Sequence, residues 1–192
     1  MTTTRVKLGG TALLAVALAT ILATVVFAAT RYRIVVEAEH YNSIKASMTA
    51  KGGDSTASSG KYVEYPLKRP HAQAENSAIK GDGGHATFKV KVPEQGNYLV
   101  YVRSWWYDAC GNSFFLVVDD KPAQIVGGDG TLQTWKWRKA PRAYALTAGV
   151  HTIKLQNRED GARADEILVT NDTRTTPTGR MAETPAYLVA ND

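Results

Sequence analysis

Cysteine is almost absent from this 192-residue sequence, and its scarcity excludes two classes of structure. The single thiol, Cys110, cannot form an internal disulfide, and one thiolate cannot build a cysteine-rich metal site. A catalytic cysteine would need a histidine base, but the four histidines lie in separate segments of the chain. We therefore interpret Cys110 as a small packing residue in a loop.

Clustered positive charge is also absent. The formal net charge is +5, from 23 Lys and Arg against 18 Asp and Glu, and no block of basic residues occurs. Domains that bind nucleic acids typically concentrate Lys and Arg in a patch or stripe. The sequence therefore predicts no nucleic-acid partner.

Charged residues are missing altogether from residues 9–29, a long apolar run that follows Arg5 and Lys7. Positive charges followed by an apolar run are typical of a secretory signal, and small residues allow cleavage after Ala28. The run also approaches the ~20 residues that span a bilayer, so an uncleaved signal-anchor is an equal alternative. Because the charges precede the run, both alternatives predict a secreted or extracytoplasmic protein, membrane-anchored in the second case.

Helix-favouring runs are scarce in the remaining chain, which consists of short segments rich in β-branched and aromatic residues. Residues 85–92 alternate apolar and polar side chains, as a half-buried strand does. Eight or nine such segments, spaced by roughly 8–12 residues, predict an all-β antiparallel β-sandwich. We assign residues 30–172 to this domain and the Thr- and Pro-rich residues 173–192 to a C-terminal tail. The predicted strands are 34–39, 61–65, 85–92, 97–103, 113–118, 135–137, 150–156 and 164–170.

A series of short motifs gives the sequence a family resemblance. They are Glu37-Ala38-Glu39, Ala57 to Val63, Gly96-Asn97-Tyr98, Gly149 to Ile153, Arg158 to Gly161, and Asp165. In this order and spacing they resemble carbohydrate-binding modules of families 6 and 35, over residues 34–172. The resemblance implies a galactose-binding-like jelly roll that binds a polysaccharide or glycan without catalysis.

The resemblance also implies a structural calcium ion, held by carboxylates of the first and last strands: Glu37, Glu39 and Asp165. Strand alternation would direct Asp165 to the same inward face as Ile167 and Val169. A buried carboxylate without a partner is costly, and calcium with hard oxygen ligands would offset that cost. The alternative is that Asp165 pairs with an arginine or caps a turn.

Sugars bind through stacking on flat aromatic rings and through planar polar groups that read their hydroxyls. In the resembled families, aromatic residues and an asparagine form the site in loops at one edge of the sandwich. The corresponding candidates are Trp106, Tyr107, Asn112, Trp135 and Asn157. Alternation places Trp105 on the face of Leu99 and Tyr101, and buried tryptophan is the competing interpretation for all of these rings.

Two functions other than sugar binding remain to be weighed. Glu159 and Asp160 could form the carboxylate pair of a glycoside hydrolase. We favour a loop-capping role for them and predict no enzyme, because the chain has the size of a binding module. The remaining alternative is a structural or adhesive cell-surface protein that uses the same fold without a sugar site.

Overall fold

The computed structural model describes residues 30–67 and 84–190, and the predicted signal or anchor lies outside them. These residues form twelve strands and three short 3-10 helices, at Ala38–His40, Ser58–Gly60 and Pro185–Tyr187. None of the helices in this part is long and apolar enough to cross a bilayer. The strands are β1 Arg33–Glu37, β2 Ser43–Lys45, β3 Thr49–Gly52, β4 Lys61–Glu64, β5 His85–Val92, β6 Gly96–Trp105, β7 Ser113–Val118, β8 Gln124–Gly127, β9 Lys136–Lys139, β10 Tyr144–Leu146, β11 Gly149–Asn157 and β12 Arg163–Thr170.

The strands form two antiparallel sheets, which confirms the predicted β-sandwich. The larger sheet has the order β10-β6-β12-β4-β3, with β1 added beside β12 and β9 beside β6. The smaller sheet has the order β2-β5-β11-β7-β8. The first and last strands are neighbours, with Glu37 opposite Glu166, so the segments that carry the proposed calcium carboxylates do lie together.

The core between the sheets follows from strand alternation. On β5, Phe88, Val90 and Val92 are buried, whereas Lys89 and Lys91 are exposed. Val100 and Val102 of β6 and Ile167 and Val169 of β12 belong to the same core, as side chains two residues apart share a face. One continuous apolar interior therefore holds the two sheets together.

Four strands are additional to those predicted: β2, β3, β8 and β10. Each has three or four residues, too few for a period-two pattern to be recognised. Residues 51–60 were expected to form a loop, and β3 takes its last two residues from the start of that segment. These short strands extend the sheets without changing the architecture.

Residues 173–189, which the sequence predicts as a tail, run along the domain and are named here the C-terminal strap. Thr184 hydrogen-bonds through its hydroxyl and its N–H to the backbone of Val35. Met181 packs on an apolar patch on the outer face of the larger sheet, formed by Val35, Leu99, Tyr101, Trp137 and Leu168. Further along, Leu188 forms a β-bridge with Val90. The strap therefore covers a face of the sandwich that would otherwise expose aromatic and aliphatic side chains.

Candidate functional site

Several loops meet at one end of the sandwich, called here the loop end. They are residues 106–112, 128–135 and 158–162, which follow β6, β8 and β11. Strand register places them together, because Trp105 lies opposite Arg163 and Ser113 lies opposite Gly127. The aromatic and polar candidates of the sequence therefore lie at or next to one end of the domain.

Trp106 is a core residue, which corrects the prediction that it contacts a ligand. Its side chain has 0% exposure and packs against Phe114, with a ring-centroid distance of 5.6 Å. The guanidinium of Arg138, a residue of β9, lies 4.4 Å from the centroid of the Trp106 ring. A ring enclosed in this way cannot stack on a sugar, so the prediction for Trp106 is wrong.

Trp105, the preceding residue, lies on the outer face of the larger sheet. It shares that face with Leu99 and Tyr101, as the alternation predicts, but it is only partly buried. The Arg163 guanidinium lies 4.2 Å from the Trp105 ring and 4.9 Å from the Tyr62 ring. This arrangement presents a Trp–Arg–Tyr layer across three neighbouring strands. Sequence reasoning missed it because Trp105 was interpreted as core.

Trp135 stands beside this layer and completes a pocket. Its ring is partly buried, lies 5.9 Å from the Tyr62 ring, and donates its indole N–H to the Thr56 hydroxyl over 3.1 Å. The pocket has a volume of about 280 Å³. Its lining residues are Thr56, Arg103, Trp105, Gln133, Thr134 and Trp135. Two indoles and several hydrogen-bonding side chains therefore border one small open cavity.

The other predicted ligand residues take different places. Tyr107 is partly buried beside Trp105, with ring centroids 6.3 Å apart, and is absent from the pocket lining. Asn112 uses its side-chain amide to donate to the Ala109 carbonyl within its own loop. Asn157 is fully buried and donates to the Ser47 hydroxyl over 3.2 Å, so the expectation that it contacts a ligand is also corrected. Among the five candidates, Trp135 lines the pocket.

Glu159 has the loop-capping role favoured from the sequence. It is buried, and its carboxylate accepts hydrogen bonds from the Asn112 N–H over 3.1 Å and the Ser113 hydroxyl over 2.7 Å. Arg158 also pairs with it. These contacts join two loops of the loop end and occupy the carboxylate.

The proposed calcium carboxylates lie close to the start of β4, around the short helix Ser58–Gly60. The Ser58 hydroxyl donates to Glu37 over 2.7 Å, and the Ser59 hydroxyl donates to Glu39. The Ser58 N–H donates to both oxygens of Asp165, over 2.9 and 3.1 Å. The three carboxylates are thus gathered around two consecutive serines.

Asp165 does not point into the core as the alternation suggested. The register of β12 against β6 shifts between Ala164 and Glu166, so Asp165 is the extra residue of a β-bulge. Its carboxylate is completely buried and pairs with Arg103, which lies on the same face as Tyr101. The arginine pairing that the sequence left open as an alternative is therefore present.

The cluster is electrostatically unfavourable for negative charge. Burial raises the pKa of Glu37 to about 6, and repulsion from Glu39 and Asp165 adds to the effect. Burial likewise raises the pKa of Asp165 to about 6, although the Ser58 N–H and Arg103 oppose the rise. Burial and the carboxylates of Asp165 and Glu37 raise the pKa of Glu166, the next residue, to about 7. A cation at this position would favour the charged forms.

The donor chemistry of the cluster fits calcium in part. One oxygen each of Glu37 and Glu39 is buried and has no hydrogen-bond partner among the described residues. Carboxylate oxygens are the ligands that calcium prefers. However, within residues 30–67 and 84–190, no group of three or more His, Cys, Asp or Glu side chains is arranged to hold a metal ion. Arg103 also forms an ion pair with Asp165, so a bound cation would compete with Arg103 for that carboxylate.

Solved structures share this architecture. A family 35 carbohydrate-binding module from Clostridium thermocellum aligns with a TM-score of 0.54 at 17% identity, covering 72% of this chain and 97% of the module. A family 6 module of Cellvibrio mixtus lichenase 5A, solved in complex with cellotriose, aligns with a TM-score of 0.50 at 19% identity, covering 71% and 95%. The chain has the fold of family 6 and family 35 carbohydrate-binding modules. No protein-family model and no curated protein sequence matches it.

The same module fold relates the chain to a part of larger enzymes. A β-(1,4)-mannanase of Podospora anserina, described as combining GH26 with CBM35, aligns with a TM-score of 0.53 at 17% identity over 76% of this chain. The chain spans 29% of that enzyme. At these identities the likeness establishes the carbohydrate-binding-module fold, and the ligand has to be argued from the site.

Proposed function

We propose that the chain is a non-catalytic glycan-binding module whose ligand site is the pocket bordered by Trp105 and Trp135. The observation that carries the proposal is this pair of partly exposed indoles that line one pocket of about 280 Å³. The weakly polar face of a pyranose ring stacks on an indole, because both surfaces lose water on contact. Such pockets combine apolar walls with a few polar groups that fix orientation.

The polar lining suits the hydroxyl groups of a sugar. Thr56 and Thr134 offer hydroxyls that donate or accept, Gln133 offers an amide, and Arg103 offers guanidinium N–H donors. Thr56 is held in place because it accepts from the Trp135 indole, and Arg103 is held by Glu166, 3.6 Å away and outside the proposed calcium ligands, as well as by Asp165. A preformed arrangement of this kind loses less entropy when a ligand binds.

The lining also supports binding in preference to catalysis. Glycoside hydrolysis usually requires two carboxyl groups on opposite sides of the scissile bond. No carboxylate lines this pocket among the described residues, and the Glu159 carboxylate is used to join two loops. The alternative of a structural or adhesive surface protein makes no use of the pocket and is an outcome of the test below.

The test is retention of residues 30–192 on a broad set of immobilised polysaccharides, followed for two variants. Trp135→Ala should abolish retention. Trp137→Ala is the matched control, because Trp137 lies two residues away on the same face but packs on the apolar patch beneath the strap. Equal loss in both variants under conditions where both are folded would refute this site. Absence of retention by the unmodified chain on every glycan would favour the structural alternative.

We further propose that calcium stabilises this module, bound by Glu37, Glu39 and Asp165. Support comes from the buried oxygens of Glu37 and Glu39 that have no hydrogen-bond partner among the described residues, and from the raised pKa values of Glu37 and Asp165. The ion would supply positive charge that holds the first and last strands together and would take no part in chemistry. Export through residues 1–29, by cleavage or as an anchor, completes the proposal and rests on the sequence alone.

A further inference from the structure

The outer face of the smaller sheet carries three lysines that form no ion pair with any acidic residue that the structure describes. Lys89 and Lys91 on β5 are exposed, and Lys154 on the neighbouring β11 is partly exposed. Register places Lys89 opposite Thr152 and Lys154 opposite Thr87, so the three ammonium groups lie on the same side of two paired strands. None of the three forms an ion pair within the part of the chain that the structure describes.

Among the described residues, the acidic side chains near this face lie at its rim. The outward-facing positions of β5, β11 and β7 in the described chain hold no aspartate or glutamate. The nearest acid in the sequence of these strands is Asp119, in the turn after β7. Its carboxylate is already engaged by His151, by the Thr152 N–H and by Lys121. Within the described residues, Lys89, Lys91 and Lys154 therefore carry positive charge that no ion pair neutralises, although Glu94 and Asp120 are exposed in the turns after β5 and β7.

Aliphatic side chains flank the lysines. Val150 lies opposite Lys91 and is 56% exposed, and Ile125 on the edge strand β8 is 46% exposed. Phe115, the aromatic ring at an outward position of β7, is buried. The described part of this face thus lacks the exposed ring on which a sugar would stack, and it combines cationic with aliphatic groups instead.

We propose that this lysine face docks on the surface of a bilayer that contains anionic phospholipid. Cationic side chains are attracted to anionic headgroups, and neighbouring aliphatic side chains favour the boundary between headgroups and acyl chains. The glycan pocket lies on the outer face of the other sheet, so a module docked in this way presents the pocket to the medium. The apolar segment 9–29 of the sequence, as an anchor, would bring a bilayer close to the domain.

The test uses residues 30–192, since both sheets and the core lie within the compact unit 31–192. Co-sedimentation is measured with vesicles of pure phosphatidylcholine and with vesicles that contain about one third phosphatidylglycerol. We expect binding to the anionic vesicles that weakens with added salt. The variant K89Q/K91Q/K154Q should lose about fivefold per lysine, or roughly a hundredfold in all.

A variant of equal charge distinguishes the face from the net charge. K61Q/K139Q/R142Q removes three exposed basic residues from outside the lysine face and should retain vesicle binding. Equal losses in the two triple variants, or equal binding to both kinds of vesicle, would overturn the proposal. Stronger lysine-dependent retention on polygalacturonate than on vesicles would also overturn it, assigning the face to an anionic polymer. Trp135→Ala should leave vesicle binding unchanged, which separates this proposal from the glycan site.

Discussion

Trp105 and Trp106 are adjacent in the sequence and lie on opposite faces of the larger sheet. Trp106 is enclosed by Phe114 and Arg138 in the core, whereas Trp105 lies over Arg163 at the edge of the pocket. The period of two along β6 separates them, and it assigns one ring to stability and the other to the proposed ligand.

This separation predicts different results for the two alanine variants. Trp106→Ala should lower the free energy of unfolding by about 3–5 kcal/mol, as truncation of a core aromatic does. Trp105→Ala should leave the melting temperature near that of the unmodified chain and abolish polysaccharide retention. Thermal melting and retention measured in parallel check both outcomes. A large loss of stability in Trp105→Ala would mean that this ring is structural.

The strap is predicted to act on the pocket through one hydrogen bond. The Arg180 guanidinium donates to the Ser55 carbonyl over 2.5 Å, and the next residue, Thr56, accepts from the Trp135 indole. Arg180→Ala should therefore weaken glycan binding by roughly fivefold, the worth of about one hydrogen bond. Arg174→Ala, a change at an exposed strap residue paired with Asp172, is the control and should have no effect. Calorimetric titration with the retained glycan would measure both.

Calcium is predicted to raise the melting temperature of the module. A ligand that binds only the native state at a hundredfold excess over its Kd contributes about 2.7 kcal/mol. Chelation should remove this increment, and Asp165→Ala should abolish the difference between calcium and chelator. The control is Asp129→Asn, which changes a carboxylate paired with Lys136 and Arg138 instead. Identical melting curves with calcium and with excess chelator would contradict the metal proposal.

The ion pairs of Asp129 are expected to make the free energy of unfolding fall at acid pH. Burial opposes its ionisation, but hydrogen bonds from Lys136 and Arg138 outweigh burial and lower its pKa to about 2. Because the folded-state pKa is below the usual value of about 4, the contribution is present above pH 4 and is lost as pH falls towards 2. A shift of this size corresponds to about 2.5 kcal/mol for a buried group, and the loss should be well below that because solvent screens the exposed Asp129. Denaturant unfolding of Asp129→Asn should show a correspondingly smaller fall over that pH range.

The sandwich was predictable because its long strands carry strong signals. The alternation of β5 predicted its bounds, His85–Val92, without error, and the carboxylates assigned to one calcium site predicted that the first and last strands lie together, as β1 and β12 do. The orientation of Asp165 was not predictable, since a β-bulge changes the side to which a residue points and leaves no mark in the hydrophobic pattern.

The sequence predicted the types of residue that line the pocket, but it identified only some of the individual residues. Sequence reasoning selected tryptophans of the correct segments but chose Trp106 where the structure presents Trp105. Alternation correctly grouped Trp105 with Leu99 and Tyr101, yet it could not tell the inner from the outer face, because the strap makes the outer face apolar too. Thr56 and Gln133 lie far apart in the sequence and become neighbours only through the fold.

The strap also bears on how the polypeptide is made. The Val35 N–H in the first strand donates to the Thr184 hydroxyl, and Val90 forms a β-bridge with Leu188. These two strands therefore make contacts that form only after the strap has been synthesised. Contacts this distant in sequence slow folding, because a long loop must close before they form. During synthesis, the apolar patch on the outer face of the larger sheet would stay open until the strap residues are available to cover it. The strap residues thus set the earliest moment at which the larger sheet can be fully covered.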